Sequence, residues 1–388
     1  MPAGNLDISA AISFNGASPT DVLRVLKSAG IETISYTTYL RHRRELIDPT
    51  IYNYWRLHQK EMFDEMKSKE TGLILGGDGR SDSPGHCAKY GSYSTMELSA
   101  NKIIDIQMVQ KNEVTSSNAM ELEGLKRSLK CLEDSKLEIK TIVTDRHPSI
   151  QKFLRLSKKH VKHEYDTWHV AKGFKKKILK LIKSCPELAP WVKSIINHIY
   201  WSASSSKDDK PEMIVAKWLS ICNHIKNKHT GHEDKLFPKC DHETKRNRGQ
   251  NKKKWLKPKS KGYDAFCELA QNKRLLNDVR KLSPGNQTSN IEAFHSLINQ
   301  FAPKRLHFSY IGMLTRLYLA AIHYNKNSDR PQAVDKTGKP AVVTTFPKYT
   351  SDCKIRAKKV PPKYDYVKEL KRLLLARIHN GRQCYDKE

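Results

Sequence analysis

The apolar and polar positions of the chain follow two different periods. In residues 1–70 the apolar side chains recur at helical spacing, as they do in the stretch that begins after Ser18. From Gly72 onward the pattern changes to short apolar and β-branched runs that are bounded by polar, turn-forming residues. These runs predict strands at 73–75, leading into Gly76, Gly77 and Asp78, and at 88–96, 102–109, 139–143 and 161–165. An amphipathic helix that begins at Asn118 is predicted between the third and fourth strands.

The predicted order of elements indicates a fold class. Three strands, a helix, a strand, a helix and a strand are typical of a ribonuclease-H-like fold. Between Trp168 and Pro284 the chain is rich in lysine, and its apolar residues return to helical spacing. We therefore predict an α/β protein whose mixed sheet is flanked by helices and interrupted by an all-helical insertion, after a helical N-terminal region. The apolar run 311–322 is expected to pack back onto the sheet.

The same pattern predicts five regions along the chain. They are a helical N-terminal region (1–70), the first part of the core (71–167), a helical insertion (168–285), the last helices of the core (286–330) and a C-terminal tail with a terminal helix (331–388). A further DNA-binding module upstream of residue 1 is also expected, because the chain begins at the approach to a helix.

Net charge restricts the classes of partner. Lysine and arginine number 70 against 41 aspartate and glutamate residues, which gives a formal net charge of +29. This excess points to a polyanionic partner, with nucleic acid as the leading candidate, although a ribosomal or chromatin protein without chemistry would carry similar charge. The basic segment 245–254 is either a solvated loop or a segment for nuclear import or phosphate contact. We expect a nuclear protein.

The sequence has no pattern typical of a membrane-spanning segment, a secretion signal or a disulfide scaffold. No apolar run approaches the roughly 18 residues that span a bilayer, and the N-terminus lacks a charged-then-apolar signal pattern. The eight cysteines are scattered without a Cys-x-x-Cys pair. This distribution argues against a disulfide scaffold and favours a reducing compartment. We expect a protein that is neither secreted nor inserted into a membrane.

Three carboxylates stand where they could support metal-dependent chemistry. Asp78 follows the first predicted strand among glycines, Asp145 ends the fourth strand, and Glu292 borders the apolar stripe of a later helix, where a buried carboxylate needs a partner. Taken singly, Asp78 could be a turn former and Asp145 a helix N-cap. The spacing of Ser289 and Glu292 also matches a capping box.

Taken together, the three carboxylates predict a catalytic metal site. If the first and fourth strands pair, Asp78 and Asp145 become neighbours, and Glu292 on a later helix can complete the site. Such a site holds two oxygen-preferring ions, Mg²⁺ or Mn²⁺, about 3.5–4 Å apart. Asp82 is a rival for the first position, and Asp78 is preferred because it is predicted to end its strand directly.

Four strings around these residues resemble those of Kolobok-type DDE transposases and of domesticated genes derived from them. They lie at 78–93 (DGRSDSPGHCAKYGSY), 143–147 (VTDRH), 165–172 (YDTWHVAK) and 289–295 (SNIEAFH). The resemblance covers roughly residues 5–347. It implies a catalytic triad of Asp78, Asp145 and Glu292, with the helical insertion between its second and third members. It also implies a homo-oligomer that holds double-stranded DNA, both transposon ends and target.

The resemblance further implies a Cys-or-Asp-x-x-His motif, which in this chain is Asp166 to His169. Residues three apart share a face of a helical turn, so this pair could position DNA or steady the insertion. A hydrogen-bonded structural pair at the exit of a strand is the alternative.

Histidine and cysteine residues cluster in the second half of the insertion. They are His224, His229, His232, Cys240 and His242. Their nitrogen and sulfur atoms suit structural Zn²⁺, although the spacing matches no standard zinc finger. Exposed loop histidines without a metal are the alternative.

The function predicted from these features is divalent-metal-dependent DNA cleavage and strand transfer by a transposase-like enzyme. The main alternative is a domesticated transposase that keeps the fold and the basic surface and acts as a non-catalytic DNA-binding or scaffold protein. A ribonuclease or resolvase on the same fold would share the carboxylates but would not call for so large a helical insertion.

Overall fold

A computed structural model describes residues 3–68, 72–83, 88–206, 210–242, 255–346 and 353–385, with side chains up to residue 379. The strands are β1 (Leu73–Ser81), β2 (Tyr90–Glu97), β3 (Lys102–Gln110), β4 (Ile139–Thr144), β5 (Lys162–Tyr165), β6 (Val342–Thr345) and β7 (Lys354–Ala357). The α-helices are α1 (Ala3–Phe14), α2 (Pro19–Ser28), α3 (Tyr36–His42), α4 (Asp48–Lys67), α5 (Ser117–Asp134), α6 (Pro148–Ser157), α7 (Thr167–Ile182), α8 (Val192–Ser204), α9 (Pro211–His224), α10 (Lys261–Ala270), α11 (Lys273–Val279), α12 (Ser289–Phe301), α13 (Tyr310–Asn327) and α14 (Asp365–Tyr385). None of the helices in this described part combines the length and apolar character needed to cross a lipid bilayer. The basic segment 245–254 lies outside the described residues.

Five strands form one sheet in the order β3, β2, β1, β4, β5. Strands β2 and β3 are antiparallel, whereas β4 is parallel to both β1 and β5. This mixed sheet with flanking helices, after a helical N-terminal region, confirms the predicted fold class and is consistent with a ribonuclease-H-like fold. The sequence pattern did not predict the small exposed antiparallel sheet of β6 and β7.

Internal contacts divide the chain into two compact units. The first comprises Met1–Gly72, Gly79–Glu138 and Asn290–Glu388, and the second comprises Leu73–Asp78 and Ile139–Ser289. The five regions predicted from sequence use different boundaries and stay predictions.

The first unit buries helices against β2 and β3. Helix α5 packs on both strands and presents Leu125, Leu129 and Leu132 as a buried stripe, as its helical spacing predicts. Helices α4 and α13 pack on β3. The return of the run 311–322 to the sheet is therefore confirmed. Ser309 fixes the start of α13, because its hydroxyl accepts a hydrogen bond from the Gly312 backbone N–H at 3.2 Å.

The second unit contains the helical insertion. Helices α7 to α11 surround a core that includes Phe174, Ile195 and Trp218, each at most 2% exposed. Trp218 is held in place by its indole Nε1–H, which donates to the carbonyl oxygen of Ala270 at 3.1 Å. The aromatic and aliphatic residues at helical spacing in this region thus form a core.

Candidate metal-dependent active site

The parallel pairing of β1 with β4 brings Asp78 next to Asp145. Gly76 lies opposite Val143, and each aspartate lies two residues further along its own segment. Because neighbouring strands lie about 4.8 Å apart, the two aspartates occupy adjacent backbone positions. Both residues are partly buried. The structure therefore brings together the first two members of the predicted triad.

Strand β1 does not end at Asp78 as predicted from sequence. It continues to Ser81, so Asp78 lies inside the strand, and Asp82 directly follows it. The carboxylate of Asp82 accepts a hydrogen bond from the backbone N–H of Lys89 at 3.1 Å, and the Asp82 N–H donates to the carbonyl of Tyr90. The register of β1 against β4, continued by two residues, rather than the end of the strand, distinguishes Asp78 from Asp82.

Asp145 directly follows β4, as predicted, but it is not the cap of the next helix. The N-cap position of α6 is held by His147, and Asp145 Oδ1 accepts the His147 backbone N–H at 2.9 Å. The preceding Thr144 pairs through Oγ1 with His163 Nε2 at 2.9 Å. Burial, together with the nearby charge of Lys281, lowers the pKa of His163 to about 4, which keeps this ring neutral near pH 7.

Glu292 lies in the first turn of α12 and is exposed. The predicted apolar stripe of α12 is buried, at Ile291, Phe294 and Ile298. Glu292 lies beside it but is exposed, so the expectation that burial gives this carboxylate its need for a partner is wrong. A capping box would need Ser289 at the N-cap position, just before the helix. In the structure Ser289 is instead the first residue of α12. The assignment of Glu292 as the third catalytic carboxylate stays a prediction.

Asp166, directly after β5, links two parts of the chain through its hydrogen bonds. Its side chain is buried, and Oδ1 caps α7 by accepting the Trp168 N–H at 2.7 Å. Its Oδ2 accepts the Thr288 backbone N–H at 2.8 Å and also the Thr288 hydroxyl. His169 Nδ1 lies 4.0 Å from Asp166 Oδ2. These contacts support the structural alternative for Asp166, and a DNA-positioning role of the pair stays a prediction.

The first unit has a polar cleft of about 470 Å³ that begins one residue after Asp78. It is lined by Gly79, Arg80, Ser81, Ser83, His295, Ser296, Asn299 and Lys304. The buried Arg80 donates to Asn299 Oδ1 at 2.9 Å and to the Ala302 carbonyl at 3.1 Å, and His295 Nε2 lies 3.1 Å from Ser94 Oγ. Burial and the neighbouring Arg80 lower the pKa of Lys304. Arg80 and Lys304 were not predicted from sequence, because only the fold unites them.

A second basic cleft, of about 720 Å³, lies in the second unit. Its cationic lining comprises Arg146, Arg155, Lys177, Arg274, Arg280 and Lys281. Arg146 directly follows Asp145 and pairs with Asp278 at 2.8 Å. A cleft with several cations is typical of surfaces that contact the phosphates of a nucleic acid backbone.

Four of the five predicted zinc ligands lie together in the second unit. Ligand atoms of His224, His229, Cys240 and His242 all lie within 4.8 Å of one another, and His232 is outside this group. The sequence therefore identified the cluster, but not which residues share it.

The five-stranded mixed sheet makes this an α/β protein with a ribonuclease-H-like fold, and two neighbouring aspartates lie at its β1–β4 pair. Residues 65–235 match the family model described as Mutator-like transposase. This segment contains Asp78 and Asp145. The match supports a transposase family, and with it a transposase-like function in DNA transposition and recombination; it does not distinguish the Kolobok type. A comparison with curated proteins found no match.

Proposed function

We propose that this chain is a DDE-type transposase-like enzyme, of Kolobok type, that cleaves DNA and joins the freed 3′ end to a target strand. The observation that carries the proposal is the adjacent position of Asp78 and Asp145 at the β1–β4 pair, inside the segment that matches the transposase family. Glu292 is the third carboxylate in this proposal.

The donor set fits Mg²⁺ or Mn²⁺. Both ions prefer carboxylate oxygens, which Asp78 and Asp145 supply from adjacent segments. Such ions, when bound, activate the attacking water and stabilise the leaving oxygen of a phosphodiester. The chain itself orients one of these ligands, because the His147 backbone N–H holds Oδ1 of Asp145. Glu292 is exposed and thus accessible to an ion or to DNA.

Two basic clefts support DNA as the substrate. The cleft that begins at Gly79 presents Arg80 and Lys304, and the cleft beside Arg146 presents six cations. Each cleft adjoins one catalytic aspartate in the sequence. Phosphates held in either cleft would fix the register of the DNA backbone, while carrying no sequence information.

The second candidate is a domesticated protein that binds DNA without cutting it. The net charge of +29 and the two clefts favour binding whether or not catalysis is retained. In either case we propose a nuclear protein that acts as a homo-oligomer on double-stranded DNA.

The test is nicking and strand transfer on plasmid DNA with Mg²⁺ or Mn²⁺. Asp78→Asn and Asp145→Asn should each lower the metal-dependent rate by about 100-fold or more, because a neutral amide ligates these ions poorly. Asp82→Asn is the matched control, since Asp82 bonds the Lys89 backbone, and it should keep most of the activity. Equal activity in the wild type and in Asp145→Asn at matched folding would exclude the proposed site. Salt-sensitive DNA binding without any cleavage would favour the non-catalytic protein.

A further inference from the structure

The histidine and cysteine cluster of the second unit is assembled by two segments. His224 is the last residue of α9, and His229 follows five residues later. Cys240 and His242 come from the returning segment, where the Cys240 N–H donates to the His229 carbonyl at 2.9 Å and Thr230 bridges to Lys239. The backbone thus fixes the two halves of the cluster face to face.

Two separations within the cluster are close to those between ligands of one tetrahedral ion. Nδ1 of His224 lies 3.3 Å from Nε2 of His242 and 3.9 Å from the Cys240 sulfur. With Zn–N of about 2.0–2.1 Å and Zn–S of about 2.3 Å, tetrahedral geometry separates ligand atoms by about 3.3–3.6 Å. These two separations are within a few tenths of an ångström of the tetrahedral values, and all the ligand atoms of the cluster lie within 4.8 Å of one another.

We propose that His224, His229, Cys240 and His242 bind one structural Zn²⁺ ion, which locks the segment 225–242 onto the end of α9. Three imidazoles and one thiolate are ligands that select zinc, and they differ from the oxygen ligands of the catalytic carboxylates. All four coordination positions come from the protein. A closed site of this kind is structural, because no position remains open for a substrate or a water.

His232 has another role in the same segment. Its Nδ1 lies 3.0 Å from the Phe237 carbonyl oxygen, and the His232 backbone N–H donates to the Pro238 carbonyl. Nε2 of His232 lies 3.8 Å from the Cys240 sulfur. His232 therefore donates its Nδ1–H to the Phe237 carbonyl and closes the turn between the two ligand pairs, outside the four-residue cluster.

The surroundings of the cluster explain what the ion would stabilise. The rings of Trp191 and Trp255 lie 6.2 and 5.8 Å from the His224 ring, and Trp191 belongs to the core of the second unit. The backbone of Leu256 bonds the carbonyl of Ile225 at 2.9 Å. The ion would thus connect the segment 225–242 to the helical core through α9 and these two rings.

Metal content of the purified full chain is the first measurement. We expect about one zinc per chain after dialysis against a metal-free buffer, retained when Mg²⁺ is removed. Co²⁺ in place of zinc should give the visible spectrum of a tetrahedral ion and a thiolate-to-cobalt band in the near ultraviolet. Cys240→Ser should lose that band, and His224→Asn should lose at least about ten-fold in zinc affinity.

Two matched controls separate this site from other thiols and histidines. Cys267→Ser removes a partly buried thiol of the same unit outside the cluster and should keep the band. His232→Asn should keep about one zinc per chain. A wild-type chain without bound zinc, or a cobalt spectrum without the thiolate band, would overturn the proposal even if Cys240→Ser failed to fold. Zinc retained by His224→Asn but lost by His232→Asn would also overturn it.

Discussion

Asp166 accepts two hydrogen bonds from Thr288, a residue 122 positions further along the chain. One comes from the backbone N–H at 2.8 Å and the other from the hydroxyl, and both end on Oδ2. The other carboxylate oxygen caps α7. One buried side chain therefore fixes both the start of α7 and the residue that immediately precedes α12.

The first prediction concerns this contact. Thr288→Val keeps the size of the side chain but removes the hydroxyl, which leaves a buried carboxylate with one fewer donor. We expect a loss of about 1.5–3 kcal/mol in the free energy of unfolding, the range for hydrogen bonds to charged groups. Urea unfolding measures this loss. Thr288→Ser retains the hydroxyl and is the control, with most of the stability kept. Equal stability of the Thr288→Val variant and the wild type would show that the Thr288 backbone N–H alone satisfies Oδ2 of Asp166.

The positions of Asp78 and Asp145 could be predicted from sequence because local hydrophobic periodicity predicts the strands next to them. Short apolar runs identified β1 and β4, and the strand order of the fold then made their ends neighbours. The same reasoning misplaced the end of β1, since the residues Gly79 to Ser81 carry no apolar signal and are ordered by the sheet instead.

Contacts between residues far apart in the chain were beyond such reasoning. Arg80 meets Asn299, and Asp166 meets Thr288, through tertiary packing that no local pattern encodes. The exposure of Glu292 shows the same limit: its helix and the buried face of that helix were predicted, but the apolar spacing does not determine how exposed a residue at the border of that face is.

The second prediction concerns a buried ion pair in the N-terminal helices. Arg43 pairs with Asp48, and the Thr315 hydroxyl of α13 contacts both, with 3.0 Å to Arg43 and 2.9 Å to Asp48. Asp48→Ala leaves the buried guanidinium without its charge partner and should lower the free energy of unfolding by about 3–5 kcal/mol. Asp21→Ala breaks the exposed pair with Arg24 and should cost no more than about 1 kcal/mol. Similar losses for both variants in urea would contradict the buried network.

The third prediction concerns the six-cation cleft of the second unit. If Arg155 and Lys177 contact DNA phosphates, the double variant Arg155→Ala/Lys177→Ala should bind double-stranded DNA more weakly. The slope of log affinity against log salt should fall by about one to two, since each lost phosphate contact contributes about 0.9. Fluorescence anisotropy across a salt series measures this slope. Lys193→Ala removes an exposed lysine of α8 outside the cleft lining and should leave the slope unchanged. An unchanged slope in the double variant would place the DNA elsewhere.

The fourth prediction concerns pH and His163, which pairs with Thr144 beside Asp145. Burial lowers the pKa of His163 from 6.5 to about 4, so the unfolded chain binds this proton more readily than the folded chain between these values. The free energy of unfolding is therefore at its full value, as far as His163 is concerned, above about pH 6.5. It falls as the pH drops towards 4, by up to about 3 kcal/mol. His163→Gln keeps a polar partner for Thr144 but cannot titrate. Urea unfolding from about pH 7 to about pH 4 should show a steeper loss for the wild type than for this variant, and parallel curves would mean that His163 is not held neutral by the fold.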